Sequence, residues 1–218
     1  MPVAVAFCPC PPLLVPELAA GAAEELDALR TACDTAVGAL LATGPSCVSV
    51  LAGAAVPQEW DAGAGGSLQS YGVDVRAGGP STTLPSALTI GAWLLDRSGW
   101  TGPRRYVGVR DAVPAGDVRE AWLVVGDGSA RRTPTSPGSF DPRAEGFDTA
   151  VARALADGDA AALAVLDREL AEQLWCSGVR VWRAVGAALK GRTLHAEPVV
   201  DQAPYGVGYL VAGWRVHD

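Results

Sequence analysis

Three short stretches of the chain carry side chains able to do chemistry. In FCPCPPLLVPE, residues 7–17, Cys8 and Cys10 stand one residue apart where an apolar run meets a proline-rich turn. Such thiols can ligate a metal, act as a nucleophile with its neighbour, or fill space as small apolar groups. In GDGSARR, residues 126–132, Asp127 can orient a ligand or act as a base, Ser129 can hydrogen-bond, and Arg131 can clamp a carboxylate or phosphate. A Gly-Asp-Gly turn that closes a strand is an equally ordinary use of these residues. In DQAPYGVGY, residues 201–209, Asp201, Tyr205 and Tyr209 accompany Gly206 and Gly208. Glycines within a strand mark a bulge or a close backbone approach, or here a terminal strand packed on its neighbour.

Stronger signatures are missing. Cys8 and Cys10 form only a C-x-C, and neither a Gly-x-Ser-x-Gly elbow nor a His-Glu-x-x-His helix occurs. The spacing of GDGSARR fits no phosphate loop or dinucleotide fingerprint. The two histidines are His195, which reads as a surface or strand residue, and His217; Glu197 has no histidine partner in view. Cys33 and Cys47 read as packing residues, and so do Trp175 and Trp182. If the first strand runs far enough, Cys8 is expected on the opposite face from Cys10.

These residues need elements to position them. PVAVAF reads as a buried first strand and SCVSVLAGA (46–54) as a second. Between them, Pro16 to about Ala42 reads as one long helix. Leu26, Leu29, Cys33, Val37 and Leu40 share its inner face, with Glu24, Glu25, Asp27 and Arg30 opposite. Residues 56–81 are glycine-rich and read as a long loop with at most a short strand at GVDVRA. Leu84 to about Leu95 reads as a helix, and RRYVGVRD and REAWLVVGDGSA as the third and fourth strands. Three helical stretches follow at about 143–156, 158–175 and 177–190; Leu163, Leu166, Leu170 and Leu174 stripe the second. TLHAEPVV and YGVGYLVAGW close the chain as strands. This alternation predicts a single three-layer α/β domain over residues 1–218: a central, mixed, mostly parallel sheet with helices on both faces.

Composition narrows the function classes. The chain has 218 residues, of which 19% are charged, and a net charge of -7. Those values exclude a mainly disordered chain and argue against binding nucleic acid or an anionic membrane, since both need basic surface. The Arg131–Arg132 pair is too short to track phosphates. No run approaches the roughly 20 apolar residues of a membrane span, and the N-terminus lacks the basic flank of a signal peptide. A cytoplasmic protein is expected, with its five cysteines at 8, 10, 33, 47 and 176 reduced.

Taken in order, CPCPPLLVPEL, LVVGDGSARRT with PGSFDPRAEGFD, and APYGVGYLVAGW span nearly the whole chain. Together they resemble the class III extradiol ring-cleavage dioxygenases, the fold of the protocatechuate 4,5-dioxygenase catalytic subunit and the Memo proteins. The likeness runs to a small actinobacterial branch. The resemblance implies a non-haem Fe(II) site of two histidines and a carboxylate, with open positions for a catecholate and dioxygen, and a further histidine as acid/base. At the first ligand position, a histidine after the first strand, this chain has Cys10. At the second, closing the second strand, it has Ala52 or Gly53. The Ser-His pair of the acid/base becomes Ser129-Ala130, and the last ligand, a Glu or Cys before a glycine, becomes Ser177 beside Cys176.

All four positions therefore differ, and the iron site cannot be assembled from the expected places. The resemblance implies instead an oxidoreductase lineage with a rebuilt or lost metal site. Its pocket would lie between Cys10, Ala52, Ser129 and Ser177 and take a small aromatic or carboxylate ligand. By the same alignment Cys10 and Cys176 reach one pocket, where two thiolates could hold Cu(I) or zinc, or one could serve as a nucleophile. The alternative is a non-catalytic binding or assembly protein that uses this pocket or the 56–81 loop, as a homodimer or with a partner subunit.

Overall fold

The computed structural model describes residues 1–116 and 119–217. Strand β1 is Pro2–Cys8, followed by the one-turn helix α1 (Pro16–Ala19), helix α2 (Asp27–Leu41) and strand β2 (Cys47–Gly53). Short strands β3 (Gln58–Trp60), β4 (Gly65–Ser67) and β5 (Arg76–Gly78) precede helix α3 (Ser86–Arg97). Strands β6 (Arg104–Val109) and β7 (Glu120–Val125) lead to helices α4 (Ala144–Ala156), α5 (Ala160–Ala164), α6 (Arg168–Gln173) and α7 (Val179–Leu189). Strands β8 (Thr193–Ala196), β9 (Val200–Gln202) and β10 (Tyr209–His217) end the described chain.

The main sheet has the order β3-β6-β2-β7-β1-β10-β8, with β9 also on β10, while β4 and β5 pair separately. Its four central strands, β6, β2, β7 and β1, are parallel to one another. The flanking strands β3 and β10 run antiparallel to them. The fold is thus α/β with a mixed sheet, parallel at its centre. The cause is visible in β1 and β7, whose apolar residues are buried on both faces, as a covered parallel strand requires.

The crossovers decide where a site can form. From β1 the chain passes through α2 to β2, and from β2 through α3 to β6. Both helices lie on one face, with Leu29, Cys33, Val37, Leu88 and Ile90 in a common core. From β7 it passes to the other face, where Phe147, Val151, Leu163, Trp182 and Val185 form a second core. The adjacent strands β1 and β7 therefore send the chain to opposite faces. Such a switch point leaves a crevice beyond the carboxyl ends of the two strands.

Four local expectations are corrected. The helix expected over 16–42 is broken: Ala20 has φ 46°, and Ala20–Leu26 is 3-10. The reason is Arg30, expected outside but buried. Its guanidinium donates to the carbonyls of Leu14 (3.3 Å) and Ala23 and pairs with Asp27 at 2.6 Å. The stretch 158–175 is two helices because Asp159 accepts from the Ala162 amide and Asp167 from the Leu170 amide, so each starts a new helix. The loop 56–81 holds three short strands, β3, β4 and β5, rather than at most one. TLHAEPVV breaks after Ala196, and its residues divide between β8 and β9.

Candidate functional site

The crevice between β1 and β7 is built around Asp127, the second residue after β7. Its Oδ1 accepts the Cys10 amide at 2.8 Å, tying the exits of the two switch-point strands together. Its own amide donates to the Ser177 hydroxyl at 2.9 Å, and its carbonyl accepts the Gly178 amide at 2.9 Å and the Cys176 thiol at 3.4 Å. One residue thus holds β1, β7 and the entrance of α7. Tyr209, the first residue of β10, adds its buried phenol, which feels the Asp127 charge.

Electrostatics follow from burial. Loss of solvent raises the Asp127 carboxyl to about 6, against the opposing hydrogen bonds from the Cys10 amide and thiol. Burial, then the Asp127 charge, lifts the Cys10 thiol well above its ordinary range, while a hydrogen bond with Ser177 works the other way. Burial also pushes Cys176 up to about 12, opposed by the Gly178 and Val179 amides at the start of α7. Tyr209 is raised by burial first and by Asp127 second. The one group poised near neutrality is therefore Asp127, which can take or give a proton. Both thiols are held protonated in this environment, so neither is an activated nucleophile.

The other candidate residues disperse. Ser129 is fully buried and gives its amide (2.8 Å) and hydroxyl (2.6 Å) to Asp148 of α4. Arg132 joins that carboxylate at 3.6 Å and Asp201 at 3.0 Å. Asp148 was missed in the sequence, although it sits in register with Ala144, Val151 and Leu155 on the buried face of α4. Arg131 donates to the carbonyls of Gly138 and Gln173, lies 3.9 Å from Asp141 and stands 5.8 Å over the ring of Trp175, so its partners fasten a loop. Trp175 itself is exposed, against the packing role expected of it; Trp182 fills that role alone. Tyr205 donates to Glu25 at 3.0 Å, bridging the 3-10 segment and the approach to β10. His195 is exposed on β8, and Glu197 pairs with Arg215 at 3.4 Å.

Cys8 belongs to the same core as Cys10 and lies beside Cys33. The opposite-face expectation is corrected: β1 ends at Cys8, and the chain beyond it returns Cys10 to the same core.

The positions that the resemblance assigns to iron ligands do not fit that ion. A Cβ on Gly53 would stand 3.0 Å from the Ser177 carbonyl oxygen, so a side chain there would press on the entrance of α7. A Cβ on Gly126 would meet the Gly178 Cα at 2.5 Å, and one on Gly128 would meet Asp148 Oδ1 at 2.8 Å. Among the described residues, no three His, Cys, Asp or Glu side chains converge as a metal would need. Hollows of about 330, 200, 470 and 360 Å³ lie elsewhere, and none of these four is lined by Cys10, Asp127 or Ser177. Among the described residues, no helix is long and apolar enough to cross a membrane.

Comparison with protein-family models found no match, and comparison with curated proteins found none either.

Proposed function

We propose that this chain is a relative of the class III extradiol dioxygenases that does not cleave rings and works as a binding or assembly protein. The observation that supports this reading is the closed crevice. Asp127 spends its amide, carbonyl and carboxylate on Ser177, Gly178, Cys176 and Cys10, and the neighbouring strand end is packed backbone to backbone. Oxygen activation needs ligands with open coordination positions, and these residues supply neither. Assembly has a surface to use: the 56–81 segment exposes Val56 and Tyr71 and contributes β3 to the edge of the main sheet. A second copy or a partner subunit on that edge is the form of assembly proposed.

Elemental analysis of protein purified without a histidine tag, with oxygen uptake on catechols, tests the reading. The expected result is substoichiometric metal and no uptake. Stoichiometric iron with oxygen consumption would overturn it. Zinc or Cu(I) that binds the wild type and is lost in Cys10→Ser would replace it with a thiolate metal site.

A further inference from the structure

A second cleft, of about 200 Å³, opens where β6 ends, between α6 and α7. Arg110, Asp111, Arg168, Arg180 and Arg183 line it, with two alanines. The chain carries 24 acidic against 17 basic residues, so four guanidiniums facing one hollow run against its overall charge. They are ordered by a ladder of pairs. Arg110 Nε lies 3.1 Å from Asp111 Oδ2, and Asp111 Oδ1 lies 3.7 Å from Arg168. Arg168 Nε lies 3.1 Å from Glu172 Oε1, which also takes Arg180 at 3.0 Å. Arg183 is anchored by its bond to the Leu166 carbonyl.

Two carboxylates link three of the four cations and Arg183 rests on a neutral carbonyl, so the hollow keeps two positive charges. A purely structural clamp would balance its charges, because gathered like charges repel. A ligand with two negative charges restores neutrality. Guanidinium forks match phosphate oxygens, and a tetrahedral phosphate offers oxygens in several directions to cations from separate elements. The hollow is smaller than the roughly 300–1,000 Å³ that drug-sized ligands occupy, which limits the organic part. It also lies at the carboxyl end of a central parallel strand, where open α/β sheets receive ligands. We propose that this cleft binds a small phosphate monoester as its dianion, through Arg110, Arg168, Arg180 and Arg183. This does not rest on the dioxygenase lineage.

The test is calorimetric titration with glycerol 2-phosphate, at fixed ionic strength, against sulfate and malonate. Saturable binding at pH 7.5 is expected, weakened about tenfold in Arg110→Gln and in Arg168→Gln, since each removes one charge-assisted pair. Those two residues come from different elements, and unfolding midpoints establish that each variant is folded. Binding of the monoester should weaken as pH falls through about 6, where its second proton returns. Sulfate stays dianionic there and controls for groups of the protein, Asp127 among them. Binding no stronger than in chloride alone would overturn the proposal, as would wild-type affinity in both variants. Tighter binding of malonate, or no loss of affinity through pH 6, would overturn the phosphate assignment.

Discussion

Asp127 holds a proton that the unfolded chain would release. Its carboxyl is raised to about 6 from an ordinary value near 3.8, so between those pH values the folded protein binds more protons than the unfolded one. Stability is then fullest below the unfolded value and falls as pH rises through the folded one. Asp127→Asn keeps an acceptor for the Cys10 amide and removes the titration. Urea unfolding across pH 4–8 should show a flattened profile, with the variant gaining about 2 kcal/mol over the wild type at pH 7 and little at pH 4. An unchanged slope would mean another group is responsible. Asp148 behaves as a structural carboxylate. Removing it in Asp148→Ala strands the buried Ser129 amide and hydroxyl, while Arg132 keeps Asp201, at a cost of about 3 kcal/mol. Ser129→Ala should cost about 1–2 kcal/mol by the same denaturant midpoints. Both residues were legible in sequence only in part. Asp148 shows as a charge in an apolar stripe, but its partner Ser129 read as a pocket residue because nothing local says which way a loop hydroxyl turns.

Helix boundaries show where one-dimensional patterns stop. Leu163, Leu166, Leu170 and Leu174 keep a helical spacing across a break, because Leu163 on α5 and Leu174 just after α6 are buried, while Leu166 in the turn between them and Leu170 on the separately capped α6 pack at the core's margin. The periodicity records the common core, and the caps at Asp159 and Asp167 record the chain path. Asp167→Ala should lower stability by about 1 kcal/mol in thermal unfolding, the loss of a side-chain cap. Arg30 was harder still: a long cation amid acidic neighbours reads as solvated, and only the fold of the preceding turns supplies the carbonyls that bury it. The junction of β7 with α7 depends on having no side chain. Gly126→Ala would press a methyl on Gly178 and should cost about 1–3 kcal/mol by the same measurement, through displacement of the two elements.

Across the whole molecule, the sheet order and layers were the more readable part, because the continuous apolar runs at 3–7 and 121–125, and the one at 48–52 broken only by Ser49, read as covered strands. The crevice was not readable. Its central bond joins Cys10 to Asp127 across 117 residues, and whether such a junction is open or closed depends on backbone approach. Thiol chemistry gives a global check on closure. All five cysteines are buried, so a disulfide reagent should label them slowly in the native state and fully in denaturant. Cys10 and Cys176 should precede Cys8 and Cys33, and labelling of Cys10 within seconds would show an open crevice.

The sheet also orders events in time. β1 is made before either of its neighbours, β7 on one side and β10 on the other, with Ala4 opposite Arg215 and Phe7 packed edge-on to Trp214 at 4.8 Å. During synthesis, Ala4–Phe7 stays an uncapped ribbon until β10 emerges. A chain cut short before β10 would carry that ribbon permanently, and such an apolar edge recruits other chains into aggregates.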